Sequence, residues 1–257
     1  MASGWRSVVH ATLHRVGVDL VRWKDPAVPT YPPDFDEADR DILSKVSRYT
    51  MTTPERIVAL IDAVEYVHGA SVPGCVVECG VWKGGSMMAA ALTLLRLGDQ
   101  RDLYLYDTFD GMTQPTANDV DYRGRRAVDQ LREQDKTTSV WSIWAYAPLQ
   151  GVQDAIESTG YPDPLVHFVK GPVEETIPQT VPDQISLLRL DTDWYESTRH
   201  ELEHLYPLLA PGGVLIIDDY GHYQGSRRAT DEYLAQLPEP VLLSRIDYSC
   251  RMAVKPS

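Results

Sequence analysis

From Cys75 onward, short apolar runs alternate with segments of helical spacing, and this alternation restricts the fold more than any other feature of the chain. Cys75–Cys79, Leu103–Tyr106, Val166–Val169, Ile185–Leu190 and Val214–Ile217 read as strands. Ser86–Leu97, Leu149–Ser158, Val173–Ile177, Ser197–Leu209 and Gln224–Leu237 read as helices, and residues 108–148 as a polar loop. Strands that alternate with helices form a parallel sheet covered on both faces. Only Asp247–Cys250 separates the last two apolar runs, Val241–Ile246 and Arg251–Val254. That gap is too short for a crossover helix, so the pair predicts an antiparallel hairpin. The expected architecture is α/β, a doubly wound, mostly parallel sheet closed by a C-terminal antiparallel hairpin. It differs from the dinucleotide fold of six parallel strands.

The first 72 residues have another character. Trp5–Trp23 is spaced like a helix, and four prolines within Pro26–Pro33 interrupt it. Asp36–Tyr49 predicts a second helix. Thr53-Pro54-Glu55 is a helix start, with a hydroxyl cap, proline in the first turn and then an acid. Ile57, Leu60, Ile61, Val64 and Val67 mark its buried face. The expected division is therefore a helical lid or oligomerisation segment over residues 1–72, followed by the α/β domain over 73–257. Trp5, Val8, Val9 and Val16 would suit a contact between copies, and a homo-oligomer is expected.

Net charge narrows the partners. At −13 the chain offers no cationic footprint for a duplex, so nucleic acid is not an expected partner. No apolar run approaches the ~20 residues that span a bilayer, and the N-terminus lacks a signal-peptide pattern. A cytoplasmic protein without a membrane partner is expected. Cys75, Cys79 and Cys250 are too few and too irregular for a disulfide framework and read as reduced packing residues.

Three motifs carry chemistry. The first is Glu78-Cys79-Gly80-Val81-Trp82-Lys83-Gly84-Gly85-Ser86, where a buried strand turns through glycines into a helix. Such a loop admits close approach of a ligand, and the helix start supplies N–H donors. Its spacing is not the Gly-x-Gly-x-x-Gly of a pyrophosphate cradle. Glu78, at the strand end, suits a cationic amino group such as that of a methionine moiety. A plain tight turn is the alternative. The second motif is Asp107, which ends the next strand. An acid there accepts from ribose hydroxyls in both nicotinamide and S-adenosylmethionine enzymes, or else it caps a turn. The third motif is Asp191-Thr192-Asp193-Trp194-Tyr195 after one strand and Asp218-Asp219-Tyr220 after the next. Neighbouring strands lie ~4.8 Å apart, so up to four carboxylates converge. Mutual repulsion favours a hard divalent cation such as Mg²⁺, which takes oxygen ligands. Caps for the following helices need only one acid per strand.

These motifs together resemble the macrocin O-methyltransferase family, whose members methylate sugar hydroxyls on macrolide and aminocoumarin antibiotics. Tyr49-Thr50-Met51 and Arg56 match the same pattern ahead of the cofactor domain. The resemblance covers most of the chain from about Tyr49 and implies a class I methyltransferase (Rossmann-like) version of the sheet. It extends to relatives acting on a rhamnose-type unit of an enediyne such as calicheamicin. It implies S-adenosylmethionine held by Thr50, Met51, Glu78, Gly80, Trp82, Gly84, Ser86 and Asp107, with Gly171 and Val173 near the adenine. It further implies Mg²⁺ on Asp191, Asp218 and Asp219, Asp193 as general base, and Tyr49, Trp194, Tyr195 and His222 near a glycosylated small-molecule acceptor. A catechol or other vicinal diol is the alternative acceptor.

Other readings explain less. Asp-x-Asp also marks aspartyl phosphatases, but there it follows the first strand, and here it follows the fourth. Metal-dependent glycosyltransferases leave Glu78–Ser86 without a use, and a nicotinamide reductase leaves the acids without one. A non-catalytic cofactor-binding module needs no metal.

Overall fold

The computed structural model describes residues 31–137 and 142–256. The expected helix at Trp5–Trp23, the contact residues Trp5, Val8, Val9 and Val16, and the first half of the proline segment lie outside them. The large compact body begins at Phe35. Its first helix, α1 (Glu37–Val46), opens on a capping box in which Asp36 accepts from the Asp39 amide and Asp39 from the Asp36 amide. The second, α2 (Pro54–Gly69), starts as predicted, with Thr53 as cap and proline in the first turn. Both pack on α3 (Gly85–Leu97). Residues 35–72, expected to belong to a separate segment, are therefore part of the body that contains the sheet.

The sheet has seven strands: β1 (Cys75–Cys79), β2 (Leu103–Asp107), β3 (Val166–Lys170), β4 (Ile185–Leu190), β5 (Leu209–Ile217), β6 (Ser244–Arg245) and β7 (Arg251–Val254). Their spatial order is β3-β2-β1-β4-β5-β7-β6. The first five run parallel, and β7 lies antiparallel to both β5 and β6. This is the doubly wound sheet with a terminal hairpin expected from the alternation. The hairpin's outer strand is short, two residues where Val241–Ile246 was expected, because that stretch lies at the sheet edge with Leu242 83% exposed.

Between the strands lie α4 (Ala127–Glu133), α5 (Leu149–Glu157), α6 (Val173–Thr176), α7 (Tyr195–Leu205) and α8 (Gln224–Leu234). Helix α4 falls inside the stretch read as polar loop. It buries only Ala127 and Leu131, too few apolar positions to show a period. The central strands β1 and β4 are buried at every position, and Val77, Leu188, Leu190, Leu215 and Ile217 join the core beneath α7. Strand order reverses between β1 and β4, and the C-terminal ends of such strands border the crevice where ligands bind in this class of sheet. No helix among the described residues is long and apolar enough to cross a membrane.

Candidate active site

Two cavities open over the strand ends. The first, about 700 Å³ of empty space, is lined by Gly80, Trp82, Asp107, Gly171, Val173 and Thr192 among others. The second, about 730 Å³, is lined by Tyr49, Thr50, Ser86, Asp218, Asp219 and His222 among others. Met51, Trp82, Asp191 and Asp193 line both, so the cavities meet at the acidic cluster.

Backbone geometry builds the first cavity. Gly80 leaves β1 at φ +85°, and a Cβ there would sit 2.1 Å from the Asp191 carbonyl oxygen. The two strand ends approach so closely that only glycine fits. Asp107 fastens this loop: its Oδ2 accepts from the Val81 and Trp82 amides at 2.8 and 2.9 Å, and its Oδ1 from the Phe109 amide at 2.7 Å. Burial raises its pKa against the pull of those donors. Asp107 thus lines the cavity and also ties β1 to β2. Gly84 lines neither cavity; at φ +89° it forms the left-handed cap of α3. A cleft with a glycine loop, a helix start and an acid at the second strand end fits an adenosyl cofactor.

Glu78 has a different neighbour from the one expected. It pairs in register with Arg189 of β4, and its Oε1 accepts from the Arg189 Nη1 at 2.5 Å. It is 1% exposed and lines neither cavity. Its Oε2 makes no hydrogen bond among the described residues. Burial raises Glu78 to about 7 against the opposing pull of Arg189. The cation that Glu78 meets belongs to the protein.

Arg189 is the hub of the acidic cluster. Its guanidinium also donates to Asp191 Oδ2 at 2.7 Å and to Asp218 Oδ1 at 2.5 Å. Arg56, from the first turn of α2, donates to Asp218 Oδ2 at 2.5 Å and to Asp247 Oδ2 at 2.7 Å. Burial alone would depress both guanidiniums, but the carboxylates around them override it and hold both well above the usual arginine range. Burial raises Asp191 far above the carboxylate range, and the neighbouring acids Asp218, Asp219 and Glu78 add to this against the pull of Arg189. Burial does the same to Asp193, with Asp219 as its nearest acidic neighbour and hydrogen-bond partner.

Asp191, Asp193 and Asp219 each place a carboxylate oxygen within 4.8 Å of the others, a set able to hold a metal ion. Asp218 is not in that set, and arginines engage both of its oxygens. Convergence comes from a turn: Asp193 sits at φ +68°, which bends the chain back just past β4. Aspartate tolerates this left-handed conformation better than most side chains. The hydrogen-bonded oxygens suit a hard cation.

The turn at Asp193 also explains two residues that the structure keeps from the cavities. Trp194 is 2% exposed, packs with Leu131 and Tyr223, and donates its indole N–H to the Thr113 carbonyl. Tyr195 points along the surface, its hydroxyl donating to Glu232. Both were expected near the acceptor, and neither lines a cavity. His222 does, with its Nδ1 2.9 Å from the Tyr248 hydroxyl. Tyr49 lies at the wall, where its carbonyl accepts from the Gly85 amide.

The family model described as Macrocin-O-methyltransferase (TylF) matches residues 12–254. The chain belongs to this family. It is an S-adenosylmethionine-dependent O-methyltransferase of the class I, Rossmann-like fold. The 8-demethyl-8-(2,3-dimethoxy-alpha-L-rhamnosyl)-tetracenomycin-C 4'-O-methyltransferase of Streptomyces olivaceus is 33% identical over 230 residues, 88% of this chain and 84% of the relative. The demethyldecarbamoylnovobiocin O-methyltransferase of Streptomyces niveus is 33% identical over 80% of this chain and 75% of the relative. Among solved structures, the O-methyltransferase NovP superposes with a TM-score of 0.70 at 29% identity, covering 81% of this chain and 83% of that one. A calicheamicin methyltransferase shares the fold at a TM-score of 0.57 and 19% identity, covering 92% and 99%.

Proposed function

We propose that this family member methylates a sugar hydroxyl of a glycosylated natural product, with Mg²⁺ on Asp191, Asp218 and Asp219 and Asp193 as general base. The observation that carries the reading is the position of Asp193. It lines both cavities and lies beside Asp191 and Asp219. The names of the relatives support a glycosylated acceptor, and the rhamnosyl group in one of them makes a rhamnoside the first compound to try. When bound, S-adenosylmethionine supplies the methyl group, and a divalent cation supplies Lewis acidity toward the acceptor hydroxyl.

The chain's own residues do the rest. Gly80, Trp82, Asp107, Gly171 and Val173 shape the donor cavity, and Tyr49 and His222 shape the acceptor side; Thr50 and Ser86, expected to hold the cofactor, line the second cavity, where the two cavities meet. A carboxylate has about four acceptor sites, so Asp218 keeps lone pairs for a cation while two arginines hold it in place. Asp193 accepts the hydroxyl proton. Burial and the neighbouring acids raise its affinity for a proton, the direction a general base needs.

Mutants separate the roles. Asp193→Asn should retain Mg²⁺ binding in titration calorimetry and lose about 10²- to 10⁴-fold in turnover, the usual contribution of a general base. Asp219→Asn should lose the Mg²⁺ heat itself. Near-native turnover by Asp193→Asn overturns the base assignment, and undiminished Mg²⁺ binding by Asp219→Asn overturns the ligand assignment.

A further inference from the structure

We infer that Asp119 is a positioning residue for methyl transfer: from a distant loop it clamps the turn that carries Asp193 and fixes that turn against the wall of the donor cavity. The inference rests on the base assignment above and adds what holds the base in place.

The turn needs support from outside its own segment. Asp193 sits at φ +68°, and Trp194 follows it as the cap residue of α7. Tryptophan has no side-chain acceptor, and the cap position makes no side-chain hydrogen bond. The first amides of a helix find no partner within it. At Tyr195, the first residue of α7, that amide donates to Asp119 Oδ1 at 2.7 Å. Asp119 is fully buried, and its Oδ2 accepts from the Thr116 amide and hydroxyl at 2.6 and 2.9 Å. A carboxylate is costly to bury, and these three donors offset the cost without an arginine or lysine paired to it among the described residues.

A third element is shaped around the same contact. Gly225, in the first turn of α8, passes so close that a Cβ would lie 2.3 Å from Asp119 Oδ1 and 3.0 Å from the Tyr195 nitrogen. Its φ lies outside the left-handed region, so proximity and not conformation calls for glycine there.

The clamp joins both halves of the site. The loop that reaches Asp119 leaves β2 at Asp107, and its Gly111, Met112 and Thr113 line the donor cavity together with Asp193. The Thr113 carbonyl accepts from the Trp194 indole, and Asp119 accepts from the next residue's amide. One loop therefore holds two consecutive residues just past Asp193. Methyl transfer requires the acceptor oxygen in line with the sulfonium methyl, and a misplacement of ~1 Å can cost about 10²-fold in rate. Without Asp119 the walls of both cavities remain, but the turn between them is loosened.

The test uses the full-length protein with Mg²⁺, S-adenosylmethionine and methyl α-L-rhamnoside. Asp119→Ala should lower kcat about 10- to 100-fold and leave S-adenosylhomocysteine binding unchanged. Asp119→Asn should recover most of kcat, because its amide oxygen still accepts from Tyr195, while its stability in urea falls because Thr116 loses an acceptor. Gly225→Ala, which drives a Cβ against the same carboxylate oxygen, should reproduce the loss of kcat in a protein whose Asp119 is intact. In an Asp193→Asn background Asp119→Ala should add little, since both act through one proton acceptor. Multiplied losses in that double variant, or S-adenosylhomocysteine binding that falls as far as kcat, overturn the clamp. Near-native turnover by Asp193→Asn overturns the base reading, and the coupling of Asp119 to it. A wild-type protein that binds S-adenosylhomocysteine yet leaves the rhamnoside unmethylated overturns the acceptor reading alone, because hydrogen exchange reads the clamp without an acceptor. The Tyr195 amide should exchange faster in Asp119→Ala and Gly225→Ala than in wild type and Asp119→Asn, and equal exchange in all four overturns the clamp.

Discussion

Glu201 shows how a single buried acid ties the site to the fold. It is fully buried on α7, its Oε1 accepts from the Thr192 hydroxyl at 2.9 Å, and its Oε2 has no hydrogen-bond partner among the described residues. Thr192 lies between Asp191 and Asp193, so Glu201 grips the turn that brings the carboxylates together. Burial raises its pKa well above the ordinary glutamate value of 4.5. The sign of the linkage follows. A carboxyl whose pKa is raised by folding favours the fold when protonated, so its contribution is full below pH 4.5 and falls as pH climbs toward the folded value. Glu201→Gln should remove a loss of up to about 1.4 kcal/mol per pH unit in that window. Urea unfolding of both proteins between pH 5 and 8 measures it, and parallel pH profiles refute it. The aspartates were legible in the sequence because they end apolar strands in pairs. Arg189 and Glu201 were not, since each is one charged residue inside an otherwise ordinary strand or helix. A usable signal existed: Glu78 and Arg189 interrupt two strands that must both be buried, and opposite charges in that setting require each other.

At the level of elements, the most exacting requirement is the close approach of β1 and β4 at Gly80. Gly80→Ala combines a positive φ with a contact of 2.1 Å against backbone. It should cost about 3 kcal/mol or more in urea unfolding and abolish S-adenosylhomocysteine binding. Gly98 provides the contrast. It also has positive φ, at +66°, but a Cβ there meets nothing within 4 Å. Gly98→Ala should cost about 1–2 kcal/mol, the left-handed penalty alone, and leave cofactor binding intact. Equal effects of the two changes would show that strand approach is not what Gly80 serves. Strands β1 to β5 were readable because each is an apolar run with a clear stop. Helix α4 and the true length of β6 were not, because so little of either is buried that hydrophobic period has nothing to report. The expected boundary at residue 72 marked a change in pattern, from helices to alternation. The packing of α1 and α2 on α3 makes no such break.

Across the whole molecule, the sheet order concentrates negative charge in one place. Because β4 lies between β1 and β5, and β7 returns beside β5, the acids Glu78, Asp191, Asp218 and Asp247 converge from four separate parts of the chain. Arg56 and Arg189 offset part of this, and Asp193 and Asp219 remain without a cation among the described residues. A divalent ion bound there would stabilise the fold by mass action, since the unfolded chain scatters the ligands. At a hundredfold excess over Kd the gain is about 2.7 kcal/mol. Mg²⁺ should therefore raise the melting temperature where the same ionic strength of K⁺ does not, and Asp219→Asn should lose the increment. The increment should also shrink as pH falls. Asp191 and Asp193 have raised proton affinity, so protons compete with the cation for the same oxygens over a range where ordinary carboxylates are fully ionised. A Mg²⁺ effect of equal size at pH 5.5 and pH 8, or one that survives in Asp219→Asn, would place the ion elsewhere on this acidic surface.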